Sequence, residues 1–174
     1  MPRTRVFYED WQMECCGTPF AVGDEVGWRL VAVGPHDREG DYRGAGWWVE
    51  NHGGPDHETV GRVHAIELVH QDYLVHTDPR LGEQLDRALD PDAEPGETVL
   101  LPSPHRMEQV PGAWSLEPVD ACPRWFRGEE PDTEPGPRRV RRTVGALVTL
   151  DVTRVRDVAP EDPGATPDGP GDRR

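Results

Sequence analysis

The sequence contains no lysine: all nineteen basic residues among its 174 are arginine. That absence excludes a Walker-type phosphate loop, whose lysine reaches the terminal phosphates, and any mechanism through a lysine Schiff base. Long apolar runs are missing as well. Nothing approaches the roughly 18 residues of a membrane-spanning helix, and Met1-Pro2-Arg3-Thr4-Arg5-Val6 has none of the apolar character of a signal peptide. A cytoplasmic protein with no membrane partner is therefore expected. Cysteine is scarce, and Cys15, Cys16 and Cys122 are too few for a disulfide framework in a reducing compartment. Positive charge is outweighed by 33 acidic residues, leaving a formal net charge of −14. This argues against a phosphate-tracking surface and hence against a nucleic-acid partner. The run Arg138-Arg139-Val140-Arg141-Arg142 reads as a solvated strand entrance that balances nearby acids.

What is present is glycine and proline, 19 of each, and short runs of β-branched and aromatic residues between Gly, Pro and Asp clusters. Strands are expected at Arg5–Gln12, Glu25–Val33, Gly46–Asn51, Thr59–Val69, Tyr73–His76, Glu97–Leu101 and Arg141–Asp157. One short helix is expected at Pro79–Leu89, where Leu81, Leu85 and Ala88 have helical spacing. The fold class is mainly β: a small partly open barrel or two packed antiparallel sheets, with at most one short helix. A single β-rich domain would span residues 1–158, with acidic loops near 90–96 and 128–138 and a disordered acidic tail over 159–174, which has no large apolar side chain to bury.

Two segments share a pattern, Thr59–Leu68 and Thr143–Val152. In the second, Val144, Ala146, Val148, Leu150 and Val152 alternate with more polar residues, as a half-buried strand requires. By analogy Val60, His64, Ile66 and Leu68 point inward from the first and Glu67 outward. Two strands of one sheet explain the likeness better than an internal duplication. Val22-Gly23-Asp24 reads as a turn entering a strand, with glycine in a conformation other residues resist and aspartate bonding the nearby backbone.

The potential chemistry gathers at Cys15-Cys16. Adjacent Cα atoms stand about 3.8 Å apart, against roughly 4.4–6.8 Å in ordinary disulfides, so a bridge between these two would be strained and easily reduced. Both thiols can ligate one metal only if residues 14–17 curl. His52 and His57, in a glycine-rich turn, would complete a Cys₂His₂ set suited to tetrahedral zinc, although the spacing is not that of a zinc finger. One buried and one exposed structural thiol, or a redox pair, are the competing readings. His64, His70 and His76 recur every six residues; a core hydrogen bond is expected for His64 and exposure for the other two. Cys122 reads as a packing thiol near Trp125. No nucleophile elbow or base-bearing motif surrounds any Cys or Ser, so no catalytic residue is assigned. Of Trp47 and Trp48, one should face the core and the other the opposite surface.

The block Val6–Phe20, containing Asp10-Trp11-Gln12-Met13-Glu14-Cys15-Cys16-Gly17-Thr18-Pro19-Phe20, followed by the Val-Gly-Asp turn and His52-Gly53-Gly54, resembles an uncharacterised family of small actinobacterial proteins, a domain of unknown function. The resemblance covers residues 5–70 and, more weakly, the last strand; it implies no activity. The expected function is a non-enzymatic cytoplasmic binding or accessory module with a protein or small-molecule partner and no cofactor. The alternative is a zinc-binding protein using Cys15, Cys16, His52 and His57, and the third reading is a small hydrolase or thiol redox enzyme.

Overall fold

A computed structural model describes residues 2–34, 42–53, 55–78, 80–81, 83, 105–126 and 136–157. The chain is mainly β, as expected. The described residues include the helix α1 (Asp10–Cys16) and the strands β1 (Arg3–Glu9), β2 (Phe20–Ala21), β3 (Glu25–Trp28), β4 (Leu30–Ala32), β5 (Trp47–Val49), β6 (His57–Thr77), β7 (His105–Val119), β8 (Ala121–Cys122) and β9 (Gly136–Asp157). Seven strands form a sheet curled into a half-barrel, in the order β3-β6-β9-β1-β5-β4, with β7 added along β6. The pairing of β1 with β5 is parallel and the other pairings of this sheet are antiparallel. β2 and β8 make a second, two-stranded sheet.

The two look-alike segments are the paired strands β6 and β9, with Ile66 opposite Val148. Their central stretches are buried on both faces. On one side Val6, Tyr8, Met13, Trp28, Val63, Ile66, Val148 and Leu150 form the larger core; on the other, Phe7, Val69 and Leu147 pack with Tyr42, Trp48 and Val144. Trp47 and Trp48 divide as expected, Trp48 packing in the second cluster and Trp47 40% exposed.

β-Bulges correct two inward assignments. The ladder steps from Val63–Leu150 to Ala65–Thr149, which leaves His64 as the extra residue. Its side chain is thereby turned outward and is exposed beside Asp151 and Arg3, where a core hydrogen bond was expected. A second shift, from Val69–Gly145 to His70–Thr143, moves Val144 to the opposite core from Val148. Gly145 at that bulge has φ 149°, and an added Cβ would lie 2.3 Å from the Tyr8 carbonyl oxygen. Only glycine lets β9 approach the end of β1 this closely.

Other boundaries shift for identifiable reasons. Thr59–Val69 and Tyr73–His76 fuse into β6 because Gln71 and Asp72 are accommodated rather than expelled. A register shift lies between Gln71 and Tyr73, and the buried Gln71 amide donates to the carbonyls of Val110 (2.9 Å) and Ala113 (3.0 Å), which flank Pro111-Gly112 on β7. That loop is why β7 does not read as a strand in the sequence. Glu25–Val33 splits at Arg29 into β3, paired with β6, and β4, paired with β5. β9 begins at Gly136, so the end of the acidic stretch 128–138 is strand. The turn at Gly23 has the expected positive φ, 97°, with Asp24 accepting from Ala21 N at 2.8 Å.

The expected strand Glu97–Leu101, the loop at 90–96, the rest of 128–138 and the tail 159–174 lie outside the described residues. Of Pro79–Leu89, only Arg80, Leu81 and Glu83 are described, and these are helical. No helix among the described residues is long and apolar enough to cross a membrane.

Candidate metal centre

The expected strand Arg5–Gln12 ends at Glu9, and the chain then turns into α1. Nothing from Asp10 to Cys16 is β-branched, Asp10 accepts from Trp11 N (2.8 Å) in the first turn, and Gly17 and Pro19 follow the last. These are start and stop signals of a short helix. α1 buries Met13 in the larger core and Gln12 beneath the sheet end, and leaves Cys15 and Cys16 exposed on its last turn.

Gln12 fixes the segment opposite. Its Nε2 donates to Val49 O at 2.7 Å, and its Oε1 accepts from Asn51 N at 2.8 Å. Asn51 Nδ2 in turn donates to the Tyr8 hydroxyl at 2.9 Å, and His52 N donates to Glu50 Oε1 at 2.8 Å. The turn after β5 is thus tied to α1 by side-chain bonds. It presents His52 with its ring stacked on Trp11, centroids 5.3 Å apart, while Trp11 Nε1 donates to Glu9 Oε2.

The result is a cluster of Cys15, Cys16 and His52, whose ligand atoms all lie within 4.8 Å of one another. His52 Nε2 stands 3.5 Å from Cys15 Sγ and 3.1 Å from Cys16 Sγ. The two sulfurs are 2.8 Å apart and both thiols are free. Zinc–sulfur bonds of about 2.3 Å at tetrahedral angles would set the sulfurs about 3.8 Å apart. Opening the pair by about 1 Å lies within the reach of side-chain rotation on an exposed last turn. The hydrogen bond that Cys16 donates to Cys15 raises its pKa, and the charge of Cys15 adds to this, while Arg124 opposes it.

His57 does not join the cluster. It begins β6 opposite Asp157 and lines a separate cavity with Trp47 and Val155. The four-ligand set expected from the sequence is therefore three residues in the structure. His70 and His76 are also committed elsewhere: His70 contacts Glu117 (2.7 Å) and Thr143 (3.0 Å) and is largely covered, contrary to expectation, and the exposed His76 faces Glu108 (3.9 Å). Among the described residues no other metal-ligating cluster forms. Cys122 is buried in the core, as a packing thiol should be, and burial pushes its pKa up to about 12. Its neighbours include Phe20 across the small sheet, whereas Trp125 is 64% exposed.

Sequence reasoning missed one feature with functional potential. A cavity of about 420 Å³ lies at the other end of α1, lined by Asp10, Tyr73 and Arg142 among others. Its residues come from β1, α1, β6, β7, β9 and the segment before β5 that carries Tyr42 and Arg43, and no local spacing announces it.

No curated protein and no solved structure matches the chain. The model of a family of unknown function (DUF6578) matches residues 2–152, a span that contains Cys15, Cys16 and His52, and the chain belongs to that family.

Proposed function

We propose that this protein binds zinc through the thiolates of Cys15 and Cys16 and the imidazole of His52, as a surface site with an open fourth position. The observation that supports this reading is the convergence of two sulfurs and one imidazole nitrogen from segments more than thirty residues apart, all within 4.8 Å. Two thiolates and an imidazole form a donor set that suits a borderline-soft divalent ion. Three protein ligands leave room for water or for a donor from a partner. The binding-module expectation meets the zinc reading at this point. Exposed Trp11 forms one wall of the cluster, and the segment carrying exposed Trp125 runs against α1, where Phe126 N donates to Glu14 Oε1.

Elemental analysis of protein purified without a histidine tag tests the reading. One zinc per chain is expected, lost in Cys15→Ser, Cys16→Ser and His52→Ala, and retained in His57→Ala. Less than about 0.1 zinc per chain after zinc addition, or equal loss in His57→Ala, would overturn it.

A further inference from the structure

The cavity at the start of α1 is lined by an acid, Asp10, and a base, Arg142, that form no ion pair with each other. On the surrounding sheet, Arg3, Arg5, Arg139, Arg154 and Arg156 each form an ion pair, with Asp151, Glu67, Asp72, Glu25 and Glu58 respectively. Arg142 forms no ion pair among the described residues; its contact is a weak one, from Nη1 to Met107 Sδ at 3.6 Å.

Asp10 shows the converse. Its carboxylate accepts one hydrogen bond, from Trp11 N, and forms no ion pair with Arg142 among the described residues. Burial is the largest influence on Asp10 and raises its pKa, with the charges of Glu14 and Glu9 adding to it and the Trp11 N hydrogen bond and the charge of Arg142 opposing it. Tyr73 stands in the same cavity, its hydroxyl without a hydrogen-bond partner among the described residues, and its pKa is also raised by burial and then by the charge of Asp10. Phe7, Tyr42 and Val144 give the lining its apolar surfaces, and Glu9 and Arg43 stand in it as well. A volume of about 420 Å³ falls within the range of small-molecule sites, and a few placed polar groups over apolar walls is their usual make-up.

We infer that this cavity binds a small zwitterion of the free α-amino-acid type, with its carboxylate on Arg142, its ammonium on Asp10 and its apolar side chain against Phe7, Tyr42 and Val144. Arg142 presents the planar fork that grips a carboxylate in two parallel hydrogen bonds. The ammonium gives Asp10 a direct ion-pair partner, and Tyr73 offers its hydroxyl to either end. A simple amine or a simple acid satisfies one charge and leaves the other unmatched, which is the basis for discrimination. This site is independent of the cysteine cluster.

Calorimetric titration of the full chain with L-phenylalanine, L-leucine, phenethylamine and 3-phenylpropionate tests the inference. Saturable binding of at least one amino acid is expected, with both singly charged analogues on the order of tenfold weaker or more. Arg142→Gln, a surface change with little consequence for folding, should weaken binding by a similar factor while zinc content stays unchanged; Tyr73→Phe gives a second, sterically conservative variant with a smaller loss. Absence of saturable binding up to roughly 10 mM of either amino acid, analogues binding as tightly as the amino acids, or Arg142→Gln binding like the unaltered protein would each overturn it.

Discussion

The three cysteines occupy chemically opposed environments. Cys15 and Cys16 are exposed and face an imidazole, whereas Cys122 is 1% exposed and its thiol is held protonated up to about 12. Because the thiolate is the nucleophile, alkylation at mild alkaline pH should modify Cys15 and Cys16 and spare Cys122. Mass spectrometry after brief iodoacetamide treatment is expected to show two labels natively and three in denaturant; a native label on Cys122 would contradict its burial. Zinc should protect the exposed pair. Cys16 adds a pH dependence with a definite sign. Its proton is retained above the ordinary thiol range, chiefly through the hydrogen bond to Cys15, so a metal must displace it. Zinc affinity should therefore rise with pH and keep rising beyond the ordinary thiol range, whereas Cys16→Ala removes that upper part of the rise. Competition titration against a chelator across the alkaline range measures it. The residues of this site were visible in the sequence as types, since adjacent cysteines near glycine are conspicuous. Which histidine meets them was not, because His52 and His57 share one glycine-rich turn and only the fold sends one toward α1 and the other into β6.

Elements explain why. Asp10–Gln12, the first residues of α1, read as the end of a strand because Val6-Phe7-Tyr8 runs into them and the aromatic Trp11 continues the impression; the lack of β-branched residues after Glu9 is the signal to the contrary. The long strands were legible where they alternate and illegible where they bulge, since a bulge reverses the face of every later side chain without marking the sequence. His64 and Val144 were misassigned for that reason. β7 was hidden by Pro111-Gly112, whose carbonyl neighbours are satisfied by a glutamine from another strand. The same device positions the cluster: Gln12 bridges α1 to Val49 O and Asn51 N at full burial. Gln12→Ala strands the buried Val49 carbonyl, at a cost of about 1–3 kcal/mol, and the half-buried Asn51 amide, at a smaller one. A loss of roughly 2–4 kcal/mol in denaturant unfolding is expected, together with weaker zinc binding, although Gln12 is not a ligand. Unchanged zinc affinity in folded Gln12→Ala would show that the turn holds His52 without it.

At the scale of the molecule, both candidate sites depend on one junction, where the end of β1 meets α1 and passes over the bulge of β9. Glu9 and Asp10 line the cavity at the start of α1, while Trp11 and Gln12, the next two residues, set His52; all four follow from the direction in which the chain leaves β1. That direction is permitted by Gly145. A Cβ there would stand 2.3 Å from Tyr8 O and 3.1 Å from Glu9 Cα, both backbone atoms that cannot rotate away, at a φ of 149° that side chains rarely adopt. Gly145→Ala must therefore separate β9 from β1 or unwind the start of α1. The expected cost is on the order of 3 kcal/mol or more, which for a chain of this size lowers the melting temperature by roughly 10 °C. The informative readout is what remains below that temperature. If the junction governs both sites, zinc affinity and amino-acid affinity fall together in the folded variant, although Gly145 supplies no ligand group to either. A variant destabilised to this extent that still binds zinc with full affinity would place the control of His52 in Gln12 and Trp11 alone.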